Sequence, residues 1–239
     1  MPVDGRAALT NQDRKFWSPG QEVLSWLTGI IPIDAKVLDI GPGTAPFSRA
    51  DMFVDWTKPD TIPDHKFRAC DIHRDRLPFD DKTFDFVYCR HVLEDLYNPF
   101  LIVAEMSRVA KAGYIETPSP LAEVCRGIDG DSPPWRGYHH HRFLIWNRGG
   151  ILFFLTKYPI IEYLDFADET TAIVGRLRDN PGNWNSHFLW RDQIEVRYLQ
   201  HEADYLIVKN YAATVTTAIK EGLESAEEFT KTMATRRSL

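Results

Sequence analysis

Short apolar runs recur along the first half of the chain, each cut off by Gly, Pro or Asp. "KVLDI" (36–40), "MFVDW" (52–56), the apolar edge of "HKFRACDI" (65–72), "TFDFVYCRHV" (83–92) and "GYIETPSP" (113–120) are of this kind. Their length and flanks predict strands buried on both faces, the last stopped by two prolines. Two stretches have helical spacing instead. In "PGQEVLSWLTGIIP", Val23, Leu24, Leu27, Ile30 and Ile31 fall on one helix face. "NPFLIVAEMSRVAKA" (98–112) is amphipathic, with Asn98 at the cap and Pro99 in the first turn. Strands alternating with helices predict an open, mostly parallel α/β sheet with right-handed crossovers and helices on both faces.

After residue 120 the pattern changes. "DGDSPPWRGY" is a loop by composition, and "HHHRFLIWNRGGILFFLTK" predicts a hairpin around Gly149-Gly150. "NPGNWNSHF" is a turn region and "IEVRYL" a further strand; residues 202–235 predict a terminal helix that frays after Ala226. Phe16 and Trp17 are possible anchors in an otherwise polar start. The expected organisation is an amino-terminal segment and helix (1–35), a sheet core (36–120), and a β-rich carboxy-terminal elaboration (121–239) that roofs the core within one domain.

Composition narrows the function. A chain of 239 residues, 44% hydrophobic, can bury a substantial core. The net charge of -6 disfavours a partner bound through a phosphate backbone, so nucleic acid is not expected. Cys70, Cys89 and Cys125 form no CxxC pair and no metal spacing, which favours buried free thiols and a cytoplasmic setting. No run is long enough to span a bilayer, and the start has no secretory pattern.

In a parallel sheet, ligands bind beyond the carboxyl ends of the strands. Asp39, Asp55, Asp71, His91 and Glu116 all fall at or just past such an end. The corner after the first strand reads Gly41, Pro42, Gly43, Thr44, Ala45, Pro46. A dinucleotide site needs a small sixth residue beneath its pyrophosphate and a helix dipole behind it. Here the sixth residue is proline, the space before Met52 is short, and Asp39 precedes the turn. A sulfonium nucleoside carries no phosphate and tolerates acids, while needing the close backbone approach that Gly41 and Gly43 allow.

"VLDIGPGT" resembles motif I of the class I S-adenosylmethionine-dependent methyltransferases. "CDIHRDRLPFDDKTFDFVYCRHVLEDLYNPFLIVAEMSRVAKAGYIETPSP" resembles the block that follows it in small-molecule-type members. The resemblance covers about residues 36–120, and the curtailed "GTAPFSRADMFVD" is similar to a bacterial-type subgroup with a shortened first helix. It implies a Rossmann-like fold with S-adenosyl-L-methionine as cofactor. Gly41 and Gly43 would lie against the amino-acid portion, with Asp39 near its amino group. Asp55 would accept from the ribose hydroxyls, Asp71 would take the adenine amino group, and Ile72 would pack on the ring. Arg90 or His91 would offer backbone or side-chain contacts near the methionine end. Two departures stand out: Ala45 replaces a third glycine, and Asp95 stands where the family often has histidine.

Methyl transfer from a sulfonium is an in-line displacement that mainly needs alignment, and an alcohol acceptor also needs a base. Were 138–146 a strand, His139 and His141 would share one face. These two and Glu116 are the candidate catalytic residues, against the plainer readings of solvated imidazoles and an arginine-paired carboxylate. A metal held by two histidines lacks a fixed third ligand, so no metal is assigned. Asp85 reads as a strand cap. Trp135 is the best candidate for stacking on a ring-like acceptor; most other aromatics read as core. The expected activity is methylation, at oxygen, of a small molecule or saccharide. The alternatives are an RNA or protein methyltransferase and a non-catalytic cofactor-binding subunit.

Overall fold

The structure, a computed structural model, describes residues 20–129, 135–164, 175–200 and 207–235; Phe16 and Trp17 lie outside them. The main sheet contains β1 (Val37–Ile40), β2 (Met52–Asp55), β3 (Phe67–Ala69), β4 (Phe84–Arg90), β5 (Ala110–Pro118) and β8 (Asn185–Arg191), in the order β3-β2-β1-β4-β5-β8. The first five run parallel, and β8 is antiparallel to β5. Strand order reverses between β1 and β4, the switch point where ligands of such sheets bind. A second sheet, in the order β6-β7-β9, comprises β6 (Phe143–Arg148), β7 (Ile151–Thr156) and β9 (Glu195–Leu199).

Helix α1 (Gln21–Ile30) precedes β1, and α2 (Pro99–Val109) joins β4 to β5. Short α3 (Pro120–Val124) follows β5, and long α4 (Ile207–Thr235) ends the described chain. One face of the main sheet is covered by Ile102, Val103 and Met106 of α2, with Phe143, Ile145 and Phe154 of the second sheet. Against the other face pack Leu27 and Ile30 of α1 and Phe229 of α4. The mostly parallel sheet and the additional β-sheet are thus as the sequence suggests.

The crossover from β1 to β2, residues 41–51, contains no helix. Side chains do what a helix would otherwise do. Arg49 donates to the carbonyls of Pro32, Ile33 and Ala35, and the Asp51 carboxylate accepts from Val37 N at 2.9 Å. Phe47 fills the space beneath the strands, stacked on Tyr88 with centroids 4.4 Å apart.

Several boundaries differ from expectation. Helix α2 ends at Val109, not residue 112, because Ala110 and Ala112 pair with Phe84 and Phe86 and so belong to β5. The 138–146 run is not one strand: β6 starts at Phe143, and the histidines sit in the turn before it. Helix α4 continues to Thr235 instead of fraying after Ala226, since Phe229 beyond that point is buried. β8 had no sequence signal, because its first residues, Asn185, Ser186 and His187, are polar yet buried. The Gly149-Gly150 hairpin is as expected, both residues having positive φ (58° and 81°).

Candidate active site

Asp39, Gly41, Pro42, Gly43, Thr44, Ala45, Tyr88, Arg90 and His91 line a cavity of about 360 Å³ at the carboxyl ends of β1 and β4. Its volume is in the small-molecule range. Gly41 and Gly43 have φ of 68° and 47°, conformations that favour glycine. A side chain on Gly41 would run into Val92, whereas one on Gly43 would meet only the Gly41 carbonyl oxygen, at 4.0 Å, so the corner leaves room for a ligand to approach the backbone there. Asp39 is 1% exposed and accepts from Phe47 N at 2.8 Å. Burial pushes its pKa up to about 7, the Phe47 bond opposing and the Asp55 charge adding.

Asp55 does not line the cavity but lies close enough to raise the Asp39 pKa. It is half-buried, accepts from Trp56 N at 2.7 Å, and burial raises its own pKa. A partly open carboxylate with acceptor capacity to spare suits a ribose diol. Asp71 is placed less favourably for the role expected of it. It accepts from Arg74 Nε at 2.6 Å and from His73 N at 3.1 Å. Ile72, expected against the adenine ring, is instead buried in the core cluster that contains Cys70 and Leu77. The β3 end is therefore spent on local bonds and packing.

Beneath the cavity runs a buried network. Arg90 Nε donates to Glu116 at 2.8 Å, and Tyr114 OH donates to the other carboxylate oxygen at 2.5 Å. The same hydroxyl lies 2.6 Å from His187 Nδ1. Burial works against the Glu116 charge, but His187, Arg90 and His91 together hold its pKa below the ordinary value. Glu116 is 2% exposed with both oxygens engaged; this is the arginine-paired arrangement, and it presents no free carboxylate to the cavity. His91 adopts φ 51°, donates its backbone N–H to Glu116 O, and has Nε2 2.9 Å from Asn185 Oδ1. Burial, with Arg90 beside it, pushes the His91 pKa down to about 4.

A second cavity, of about 350 Å³, is lined by Trp135, Arg136, His139, His141, Lys157 and neighbours. His139 Nδ1 lies 2.5 Å from Asp129 and is exposed. His141 is buried, with Nδ1 2.6 Å from Glu123 Oε1, whose other oxygen accepts from Lys157 Nζ at 2.6 Å. Burial opposes the Glu123 charge, yet Lys157 and His141 hold its pKa at about 2. His139 and His141 thus line one cavity although they share no strand face, since a turn brings consecutive imidazoles together. His91 of the first cavity feels the charge of His141. Trp135 is about half exposed, as stacking requires. A larger groove of about 820 Å³, reaching Lys36, Arg68 and Thr83, lies at the strands' amino ends, away from this chemistry.

Sequence reasoning missed Tyr88, Glu123 and Lys157. Tyr88 is the register partner of Asp39, which only cross-strand pairing reveals; no motif marks the other two.

Residues 38–115 match the family model described as a methyltransferase domain. No curated protein matches the chain significantly. Among solved structures, the chain is similar to the YcgJ protein of Bacillus subtilis (22% identity, 41% of this chain and 50% of that one, TM-score 0.32). It is also similar to a putative methyltransferase of Bacillus halodurans (18% identity, 42% and 52%, TM-score 0.33). A third likeness is to the [4+2]-cyclase SpnF (16% identity, 80% and 85%, TM-score 0.39). The chain spans about half the length of the first two. The strands that carry the glycine corner, Asp55, Arg90 and His91 lie inside the matched segment, and over residues 38–115, about a third of its length, the chain is similar to a methyltransferase domain.

Proposed function

We propose that the protein is an S-adenosylmethionine-dependent methyltransferase that methylates an oxygen of a small molecule or saccharide. The observation that carries this reading is the corner itself: two positive-φ glycines and the buried Asp39 at the switch point, opening onto a cavity of about 360 Å³. When bound, S-adenosylmethionine supplies an activated methyl group on sulfur. Gly41 and Gly43 let the backbone approach its amino-acid portion, Asp39 faces the cationic amino group, and Asp55 accepts from the ribose. Arg90, held by Glu116, and neutral His91 bound the methionine end. Glu116 acts as a positioning residue.

In the second cavity, His139 is oriented by Asp129, which leaves Nε2 to take a proton from an acceptor hydroxyl. Trp135 stacks on a ring-like acceptor. The net charge of -6 supports a small acceptor over nucleic acid. The three free, buried cysteines support a cytoplasmic setting. Among the described residues no helix is long and apolar enough to cross a membrane.

S-adenosylhomocysteine at a hundred times its Kd should stabilise the protein by about 2.7 kcal/mol, a thermal shift of roughly 5–10 °C for this size. NAD should give none. The absence of a shift with S-adenosylhomocysteine would remove the reading. Asp55→Ala should weaken that binding by about 1–3 kcal/mol through a lost ribose bond. Transfer of tritiated methyl to sugars, compared with RNA and protein, decides the acceptor class; label on RNA or protein alone would overturn the small-molecule assignment.

A further inference from the structure

The structure gives the Asp95 carboxylate an unusual setting. Its Oδ1 is buried and accepts no hydrogen bond. Two imidazoles face that oxygen: His140 Nε2 at 3.6 Å and His141 Nε2 at 3.7 Å. The three ligand atoms lie within 4.8 Å of one another. Ligand bonds of about 2.0–2.2 Å hold donor atoms roughly 3–3.5 Å apart around one cation, so little movement closes the set.

We propose that Asp95, His140 and His141 form a binding site for a first-row divalent cation at the edge of the histidine cavity. The surroundings support this independently. His141 donates Nδ1–H to Glu123 at 2.6 Å, which fixes the tautomer and leaves Nε2 for a metal. Carboxylate–imidazole–metal relays of this kind orient ligating histidines. Lys157 anchors Glu123 in turn. The two loops that bring the ligands together are pinned to each other, because Arg142 N donates to Glu94 O at 2.7 Å. The Arg142 guanidinium also lies 3.7 Å from the Tyr97 ring centroid. The neighbouring Glu94 carboxyl is buried with neither oxygen hydrogen-bonded.

Two imidazoles and one carboxylate suit Zn²⁺, Fe²⁺ or Co²⁺ over Mg²⁺ or Ca²⁺. Three protein ligands leave a coordination position for water or an acceptor oxygen. Asp129, His139 and His140 form an overlapping set. There a cation must displace the existing bond between His139 and Asp129, whereas Asp95 Oδ1 has none to lose.

The test uses the full chain after treatment with a chelator. Titration with Co²⁺, followed by visible absorption, should saturate at one equivalent. Zn²⁺ should displace the Co²⁺, and Mg²⁺ should not. Asp95→Asn and His140→Ala should each weaken Co²⁺ binding at least tenfold, Glu123→Gln should weaken it about 10–100-fold, and His139→Ala should leave it unchanged. His140 is half exposed, so its variant should fold, which far-UV circular dichroism checks. Absence of saturable binding, unchanged affinity in the Asp95 and His140 variants, or loss in His139→Ala would overturn the proposal. The readout does not involve S-adenosylhomocysteine, so failure here and failure of the cofactor assignment are separable.

Discussion

Asp39 is a structural acceptor and, in the proposed function, also the charge that meets the cofactor's amino group. Its carboxylate holds Phe47 N, and so the helix-free crossover, while burial lifts its pKa from 3.8 to about 7. The folded chain therefore binds this proton more tightly than the unfolded chain. The resulting stability is fully present below pH 4 and is lost as pH rises from about 4 to about 7. Asp39→Asn keeps an acceptor and removes the titration, so its stability relative to the native chain should rise between pH 5 and pH 8, as urea midpoints would report. A cationic amino group selects the ionised form. Affinity for S-adenosylhomocysteine should consequently fall below pH 7, by up to about tenfold per unit, with that dependence absent in Asp39→Asn. Glu116 differs because its partners leave it no freedom. Glu116→Gln removes the charge opposite the buried Arg90 and should cost about 3–5 kcal/mol in urea unfolding.

Among the elements, the crossover after β1 explains the rest of the architecture. Without a helix there, the sheet face beside Val37 and Phe86 needs other cover. It receives Phe47 from the loop, Leu27 and Ile30 from α1, and Phe229 from the far end of α4. Phe229 stacks on His187 at 4.2 Å and meets Trp26 edge-on at 5.5 Å. It thereby connects the last helix to the His187–Tyr114–Glu116 network. Phe229→Ala should cost about 3–5 kcal/mol by denaturant titration. A loss under 1 kcal/mol would mean that the end of α4 is not part of the core.

At the scale of the molecule, the two sheets share one apolar core. Val54, Val87 and Ile115 of the main sheet pack in the cluster that includes Ile145 and Phe154 of the second. Helix α4 runs across both, with Tyr211 and Val215 against the second sheet and Phe229 against the main one. Unfolding should therefore be one cooperative transition, with tryptophan fluorescence and far-UV circular dichroism coinciding in urea; separated midpoints would make residues 121–239 an independent unit. The parallel strands, α1, the hairpin and the glycine corner were legible because each depends on local chemistry: apolar runs, helical spacing, paired glycines. The start of β5 was misjudged, since Ala110 is a good helix former until β4 offers it a partner. β8 stayed hidden because Asn185, Ser186 and His187 are polar residues that only burial against β5 explains. The sequence by itself determined which residues sit at the strand ends, because burial pattern and turn chemistry act over a few residues. Tertiary structure alone decided that Glu116 is paired with Arg90, that Asp71 is taken by Arg74, and that Asp95 faces two histidines. Those pairings join residues distant in sequence or oriented by a turn, and charge–charge geometry has no periodic trace along a chain.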